Sequence, residues 1–244
     1  IQNFLKISDE KNDLPDRFGP LYATSLDQTL SAINIKSVEN FNDTKIDSFL
    51  DKHTHSTPYH YSCWRELIKS LFQHDDLSLV AINQNNDVQG FLPLIRLKSH
   101  LFGDFCVSMP YFNYGGPIAN NSAIENKLID SAIDLARNNN LEHLELRELK
   151  PREGLQSKAE KVSMIRRLPA TGKELSSEIG TKLRAQVNRS KLESPKVSIG
   201  KLELINDFYK VFSTNMRDLG TPVYSKEFFY QVIDSCYDKS HIIV

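Results

Sequence analysis

The order in which strand and helix patterns follow one another constrains the fold of this chain more than any other feature of its sequence. Residues 31–38 alternate apolar and polar side chains, which is typical of a half-buried strand. A short helical pattern follows at 43–53. A stronger one runs to residue 72, where Thr57 supplies an N-cap hydroxyl and Pro58 occupies the first helical position. The first folded region therefore opens with a strand and two helices.

A strand meander and a long helix come next. The turn-forming run 83–87 separates strand patterns at 77–82 and 88–97, which predicts a hairpin. An amphipathic helix is predicted over 122–139. Its buried stripe is expected to consist of Ile124, Leu128, Ile129, Ala132, Ile133 and Ala136. Further strand patterns lie at 105–109, 141–149 and 161–168.

This mixed order of elements predicts an α/β fold. We expect residues 31–170 to form one domain with a single mixed, twisted sheet. The helices at 58–72 and 122–139 would flank that sheet. Residues 1–30 are polar, show no clear period and contain Pro15, Gly19 and Pro20, so we expect them to form an N-terminal extension.

The second half of the chain starts the same pattern again. Residues 171–196 predict a connecting basic helix, and 197–244 read as strand, helix, helix and strand. Thr221 lies 164 positions after Thr57, and both are followed by proline. The matched order indicates a duplication with tandem units. Because the pattern stops at Val244, the second unit is expected to be incomplete.

Composition narrows the class of protein without identifying it. The chain has 30 Lys and Arg against 31 Asp and Glu, a formal net charge of −1, so no overall basic field would draw it to DNA. Its three cysteines have no metal or redox spacing. No apolar run approaches the ~20 residues that a membrane span needs. A cytoplasmic protein with no transmembrane segment is therefore expected.

Several short motifs in this order resemble the FemAB family, in particular FemAB-related proteins associated with exopolysaccharide and PEP-CTERM systems. The element order also resembles the GNAT acyltransferase fold. The most specific of the motifs is the run from Asn215 to Ser225. The others are Gly90-Phe91-Leu92-Pro93-Leu94, Asn113-Tyr114-Gly115-Gly116, Leu144-Glu145-Leu146-Arg147 and the run from Lys182 to Arg189.

The resemblance implies two tandem GNAT-like domains around a shared cleft. It implies an N-acyl or aminoacyl transferase that acts on an amine of a cell-envelope precursor, either of peptidoglycan or of an exopolysaccharide. Aminoacyl-tRNA or acyl-CoA would serve as the acyl donor and co-substrate, with no permanently bound cofactor. The alternative is a non-catalytic module of the same fold that binds an anionic glycan or a lipid-linked precursor.

The loop formed by Asn113, Tyr114, Gly115 and Gly116 is the first candidate site. In single-domain GNAT enzymes a glycine-rich loop here offers backbone N–H groups to the CoA pyrophosphate at a helix N-terminus. This loop has two glycines but no basic residue, so either this unit does not bind CoA or the donor is not CoA. Two interpretations stay open: a loop that faces substrate, or a tight turn in which glycine supplies a positive φ.

The basic helix supplies the second set of candidates. Lys182, Arg184 and Arg189 could hold phosphates, because guanidinium groups make bidentate bonds to phosphate oxygens. Helical spacing spreads the basic groups over more than one face. The alternative is therefore an ordinary solvated helix surface.

The third set lies where two units would meet. Asn215, Arg217 and Tyr224 are candidate substrate-binding residues, and Asp218 is a candidate general base. The alternative is that this segment only terminates one helix and caps the next, with Gly220 as terminator.

Histidines and catalytic motifs add no further site. His53, His55 and His60 have no fourth group at metal-ligand spacing, so they predict a solvated loop and not a metal site. No hydrolase, zinc-protease or NTPase motif is present in the sequence.

We predict that the substrate site lies between the two units, and that Arg217 binds an anionic part of the ligand there together with Tyr114, Arg184, Arg189 and Tyr224. Arg217→Ala should weaken ligand binding by about 10- to 150-fold, the equivalent of about 1.5–3 kcal/mol for a hydrogen bond to a charged group. Ligand titration of the complete protein measures this. A variant that melts much earlier yet binds an acyl donor or UDP-sugar normally would make Arg217 a structural helix-end residue.

Overall fold

The computed structural model describes residues 2–7, 32–152, 154–158, 160, 164 and 166–244. The chain divides into two compact units, Ile1–Val162 and Ser163–Val244. No helix in the described ranges combines the length and the apolar character that crossing a bilayer requires.

The first unit contains ten described strands and three α-helices. The strands are β1 (Gln2–Lys6), β2 (Asn34–Ser37), β3 (Asp75–Asp76), β4 (Leu79–Ile82), β5 (Val88–Leu92), β6 (Ile95–Ser99), β7 (Gly103–Val107), β8 (Ile118–Ala119), β9 (His143–Arg147) and β10 (Gln156–Lys158). The helices are α1 (Asp43–Lys52), α2 (Ser62–Phe72) and α3 (Ser122–Asn138), with short 3-10 turns at Val38–Asn40 and Pro58–His60.

The strands form two hydrogen-bonded sheets. One has the order β10-β1-β9-β7-β6-β3 and the other the order β2-β4-β5-β8. All described pairings are antiparallel except that of β7 with β9, which is parallel. The mixed α/β class predicted from the sequence is confirmed, but the prediction of a single sheet over residues 31–170 is wrong.

Pro93 explains why the ladder divides. The pair Asp76–Ile95 in one sheet and the pair Leu79–Leu92 in the other have the same register. The two strand segments therefore form one long hairpin that passes from one sheet into the other. Pro93 has no N–H to donate at the junction. The next N–H, that of Leu94, is diverted to the Ser78 hydroxyl at 2.9 Å. The two sheets are therefore joined through continuous strands and separated only in their hydrogen bonding.

The extreme N-terminal segment is part of the sheet. Gln2–Lys6 lies within the range assigned to an extension, yet β1 pairs antiparallel with both β9 and β10. A polar strand of five residues gives little sequence signal, because its partners are more than a hundred residues away. Residues 8–31 lie outside the described residues, so the rest of the predicted extension stays a prediction.

Helices cover both faces of the sheets. The predicted stripe of α3 is confirmed residue for residue as its buried face. It packs on the side that carries Leu79, Ala81 and Leu92. The alternate side, with Val80 and Phe91, packs against α1. Residue Ile68 of α2 packs on Ile95 and Met109, which gives α2 its place beside the six-stranded sheet.

The second unit contains four α-helices and one short strand pair in its described part. These are α4 (Gly172–Glu178), α5 (Gly180–Leu192), β11 (Ile199–Gly200), α6 (Ile205–Asp218), α7 (Lys226–Ser235) and β12 (Ile242–Ile243), with 3-10 turns at Leu202–Leu204 and Tyr237–Lys239. Its core is built on Ile205, Ile233 and Ile242. The basic helix expected to be continuous is broken, because Gly180 takes a positive φ of 74°.

Some elements of the two units lie at matching positions, while the duplication itself stays a prediction. At the offset of 164, the turn Leu202–Leu204 corresponds to Val38–Asn40, and the first residue of α7 corresponds to the first residue of α2. In each unit the first and last strands of these matched elements form an antiparallel pair. The pairs are β2 with β4 and β11 with β12.

Two local predictions need correction. The Thr-Pro pairs do not start the α-helices, because Tyr61 caps α2 and Ser225 caps α7. Thr57 instead precedes the 3-10 turn Pro58–His60. Residues 166–168, predicted to continue a strand from 161, carry no strand, and most of 161–165 lies outside the described residues. The superposition of the two Thr-Pro pairs stays a prediction.

A buried ion-pair group at Arg65 generates the first stability test. The Arg65 side chain is 1% exposed, it donates to Asp76 at 2.6 Å and also pairs with Asp43, and it thereby ties α2 to β3 and α1. Arg65→Ala should destabilise the protein by about 3–5 kcal/mol, since it leaves a buried carboxylate without its partner. Chemical denaturation measures the change. Arg137→Ala, which removes an exposed pair to Asp134 at 3.7 Å, is the control and should cost less than about 1 kcal/mol. Equal losses in the two variants would contradict the assignment.

Candidate functional site

A cleft of about 580 Å³ opens in the first unit where β7 and β9 end. The segments that follow these two strands, 108–117 and 148–152, contribute to its lining, together with 53–60 and the first turn of α3. Because β7 and β9 are parallel, their carboxyl ends meet at one edge. That is where ligands bind in α/β sheets. The topology therefore places this cleft where a substrate is expected.

The glycines of the candidate loop allow close backbone approach. A Cβ on Gly116 would lie 2.6 Å from the Cγ of Glu148, and one on Gly115 would lie 2.5 Å from the Cβ of Met109. Neither glycine has a positive φ, so the interpretation as a turn that needs one is wrong. Tyr114 and Gly116 line the cleft, whereas Gly115 is buried and Asn113 is exposed. The Gly115 N–H is already used, because it donates to the Arg147 carbonyl at 3.2 Å.

His60 holds this loop in place. Its Nδ1 accepts the Thr57 N–H at 3.1 Å, so the proton lies on Nε2, which donates to the Gly116 carbonyl at 2.9 Å. The side chain is 2% exposed, and burial lowers its pKa below the ordinary value. The expectation of a solvated loop is therefore wrong for His60, which is a neutral structural group behind the cleft.

Arg147 presents a fixed guanidinium to the cleft. Its Nε–H donates to Glu145 Oε1 at 2.7 Å, and Nη1 donates to the Phe112 carbonyl at 2.7 Å. Its backbone N–H donates to the Ser108 hydroxyl at 2.8 Å, which ties the ends of β7 and β9 together. Within the described part of the chain Nη2 has no hydrogen-bond partner. The arrangement leaves oriented donors for an anion or a carbonyl oxygen.

A second, tighter network closes the opposite wall. Arg152 donates to Glu148 through Nε at 3.0 Å and to Glu125 at 2.5 Å, and it also pairs with the other oxygen of Glu148. Asn3 of β1, which is fully buried, donates to Glu148 at 2.7 Å and to the Lys150 carbonyl at 3.1 Å. Both carboxylates are thus held by the single guanidinium of Arg152, and the three groups together keep one net negative charge.

Two rim residues complete the cleft. Lys150 and His55 are both exposed and line it. Lys150 makes no ion pair with any carboxylate of the described residues. His53 supports the rim from below, since its Nε2 bonds to the Ala119 carbonyl at 2.9 Å. Among the residues that the structure describes, no three His, Cys, Asp or Glu side chains converge as metal ligands.

The basic candidates of the second unit are mostly surface groups within that unit. Lys182 and Arg189 are exposed on α5. Arg184 donates to the carbonyls of Ser176 and Ser177, at 2.8 and 3.0 Å, and so satisfies the carboxyl end of α4. This gives Arg184 a structural role that needs no ligand.

The remaining candidates surround the end of α6. Arg217 donates to the adjacent Asp218 at 3.0 Å, and both side chains are exposed. Asn215 is exposed as well. Tyr224 stacks on Phe228 with ring centroids 4.6 Å apart. A ligand role for these residues and their position at a shared cleft stay predictions.

The predicted site residues did not include Arg147, Glu148 and Arg152, which carry most of the cleft's charge. They follow one another in the run 144–152, where a strand pattern gives way to charged residues. The rule that ligands bind at the carboxyl ends of parallel strands would have selected them. It could not be applied, because the sequence does not reveal that β7 and β9 are parallel neighbours.

Comparison with known proteins supports the fold. No protein-family model matches the chain, and no curated protein sequence matches it. A crystal structure of FemX resembles it with a TM-score of 0.53 at 15% sequence identity, over 86% of this chain and 57% of the FemX chain. The chain therefore has a FemX-like mixed α/β fold and spans a little over half the length of that neighbour.

The buried His60 generates a pH prediction. The pKa of His60 is lowered in the folded state. Below about pH 6.5 the His60 imidazole is therefore protonated in the unfolded chain but stays neutral in the folded protein. The contribution of neutral His60 to the free energy of unfolding is fully present above that pH. It is lost as the pH falls toward the folded-state pKa of His60. His60→Gln should therefore show a shallower loss of unfolding free energy between neutral and mildly acidic pH, by up to about 1.4 kcal/mol per pH unit. Urea denaturation at several pH values checks this. The exposed His55→Gln is the control, and a slope unchanged in His60→Gln would refute the assignment.

Proposed function

We propose that this chain is an N-acyl or aminoacyl transferase that acts on an amine of a cell-envelope precursor. The FemX-like fold and the FemAB-like motifs support the family of reactions. The observation that carries the proposal is the cleft at the carboxyl ends of β7 and β9, with the fixed donors of Arg147 at its wall.

The chemistry needs oriented donors more than a strong base. When an amine attacks an acyl carbonyl, negative charge develops on the carbonyl oxygen, and fixed N–H groups stabilise it without reorganisation. Glu145 and the Phe112 carbonyl hold Arg147 in one orientation. Its free N–H groups are therefore suited either to this oxygen or to an anionic part of the precursor.

The attacking amine must also lose a proton. Glu125 and Glu148 are both engaged by Arg152, and His60 is buried with both nitrogens bonded. Among the described residues of the cleft, His53 is bonded through Nε2 to the Ala119 carbonyl, whereas the imidazole of His55 is exposed and able to accept a proton. We assign proton acceptance to His55 in this proposal, with Asp218 of the second unit as the alternative. The bond between the acyl group and the donor oxygen or sulfur breaks as the amide forms, and the released donor hydroxyl or thiol takes up that proton.

The acyl donor is proposed to be aminoacyl-tRNA in preference to acyl-CoA. A CoA pyrophosphate would need free backbone N–H groups on the glycine loop. The Gly115 N–H is already bonded to Arg147, and no basic residue lies in the segment 113–117. The acceptor would be a peptidoglycan or exopolysaccharide precursor, and the location cytoplasmic, where charged tRNA is made.

A transfer assay tests the proposal. The complete protein is incubated with labelled aminoacyl-tRNA, or with labelled acyl-CoA, and with a UDP-linked or lipid-linked muramyl peptide. Label should move to the amine of the acceptor, and more from aminoacyl-tRNA. Binding of the acceptor with no transfer from either donor would favour the non-catalytic module instead.

Lys150 provides the matching binding prediction. Lys150→Gln should weaken the binding of an anionic UDP-linked precursor by about tenfold or more, the effect of one hydrogen bond to a charged group. It should leave the melting temperature unchanged, because Lys150 is exposed and has no ion pair in the described residues. Isothermal titration calorimetry measures the affinity. Lys36→Gln, an exposed lysine on β2 away from the cleft, is the control, and equal effects of the two variants would exclude Lys150 from the site.

A further inference from the structure

The tip of the β6–β7 hairpin exposes two adjacent large apolar side chains. Leu101 is 81% and Phe102 73% exposed. They sit in the tight turn between Ser99 and Gly103, the last and first residues of the two strands. The hairpin therefore ends in a convex apolar point.

The turn that presents these side chains is well defined. The Ser99 hydroxyl accepts the backbone N–H groups of Leu101 and Phe102 at 3.2 and 3.4 Å. Gly103 takes a φ of 89°, which favours glycine, and a Cβ there would lie 2.4 Å from a carboxylate oxygen of Glu142. The exposure of Leu101 and Phe102 thus follows from a fixed turn.

The charged side chains beside the tip leave a small positive excess, because Lys98 and Lys6 outnumber Glu142 while Arg96 and Asp104 cancel. Lys98 and the imidazole of His100 are exposed next to the tip. Asp104, which lies opposite Lys98, is neutralised by Arg96 through two hydrogen bonds of 2.7 and 2.6 Å. The exposed carboxylate of Glu142 accepts the Asp104 N–H at 3.2 Å, so it is turned toward the backbone. Lys6 of β1, which pairs with His143 of β9, is also exposed.

Size and shape indicate which partner fits. A specific protein interface buries about 800 Å² on each partner, far more than two side chains at a hairpin tip provide. A lipid bilayer needs no complementary pocket. Apolar side chains enter the boundary between head groups and acyl chains while flanking lysines meet anionic head groups.

We propose that the hairpin tip, residues 98–102, anchors this protein reversibly to an anionic membrane surface. The tip and the cleft lie at opposite ends of the six-stranded sheet. β9 spans five residues, or about 17 Å at about 3.3 Å per residue, so the cleft would stand roughly that far above the membrane. If the proposed transfer function holds, the acceptor is a precursor already linked to a membrane lipid. This statement about the acceptor rests on the proposed function, whereas the membrane anchor does not.

Vesicle sedimentation with the complete protein tests the anchor. Vesicles of phosphatidylcholine alone are compared with vesicles that also contain phosphatidylglycerol, and no acyl donor is present. The protein should bind the anionic vesicles, and less so at high salt. Leu101→Ser combined with Phe102→Ser should lower the partition coefficient about a hundredfold, or about tenfold for each side chain.

Matched variants make the outcome decisive. Leu192→Ser removes an equally exposed leucine, 82%, from α5 and should bind like the parent protein. Lys98→Gln should weaken binding to anionic vesicles only. Melting curves check that the tip variants are folded. The proposal is overturned if the parent protein does not bind anionic vesicles, or if the double variant binds them as well as the parent protein does. It is also overturned if the tip instead causes self-association without lipid. The transfer assay is independent of every one of these results.

Discussion

The parallel pairing of β7 with β9 is the constraint on which the rest of the first unit depends. Parallel neighbours cannot be joined by a tight turn, so the chain must cross over between them, and α3 provides that crossover. The apolar stripe of α3 then covers one face of the sheets. The same pairing brings the two strand ends to one edge, where the cleft opens. Packing and site thus have a common origin.

Polar groups fix the details that hydrophobic packing leaves open. The Ser108 hydroxyl extends the contact between the two strand ends by accepting the Arg147 N–H. Arg147 is then oriented by a carboxylate and a carbonyl, and Arg152 locks two further carboxylates. Buried polar networks of this kind hold a geometry only when their members are satisfied. The cleft is therefore prepared before any ligand arrives.

Local patterns predicted local structure well. The buried face of α3, the hairpin around 83–87 and the helix ends near 52 and 72 follow from periodicity and turn chemistry, which short-range physics dictates. Features that depend on distant partners could not be seen. Pro93 divides the ladder only because a hairpin crosses from one sheet to the other there. β1 is a strand because β9 and β10 accept it, and Arg147, Glu148 and Arg152 form a cleft only once β7 lies beside β9.

The position of β1 also determines when this unit can be completed during synthesis. Asn3 contacts Glu148 across 145 positions of sequence, and β1 pairs with β9 over a similar separation. A chain that emerges from the ribosome in order therefore holds its first strand unpaired until β9 has appeared. Contacts of such long range slow folding, and unpaired strands are prone to wrong association. The wall of the cleft that contains Glu148 is thus among the last parts of the unit to form, and a nascent chain is exposed to aggregation until then.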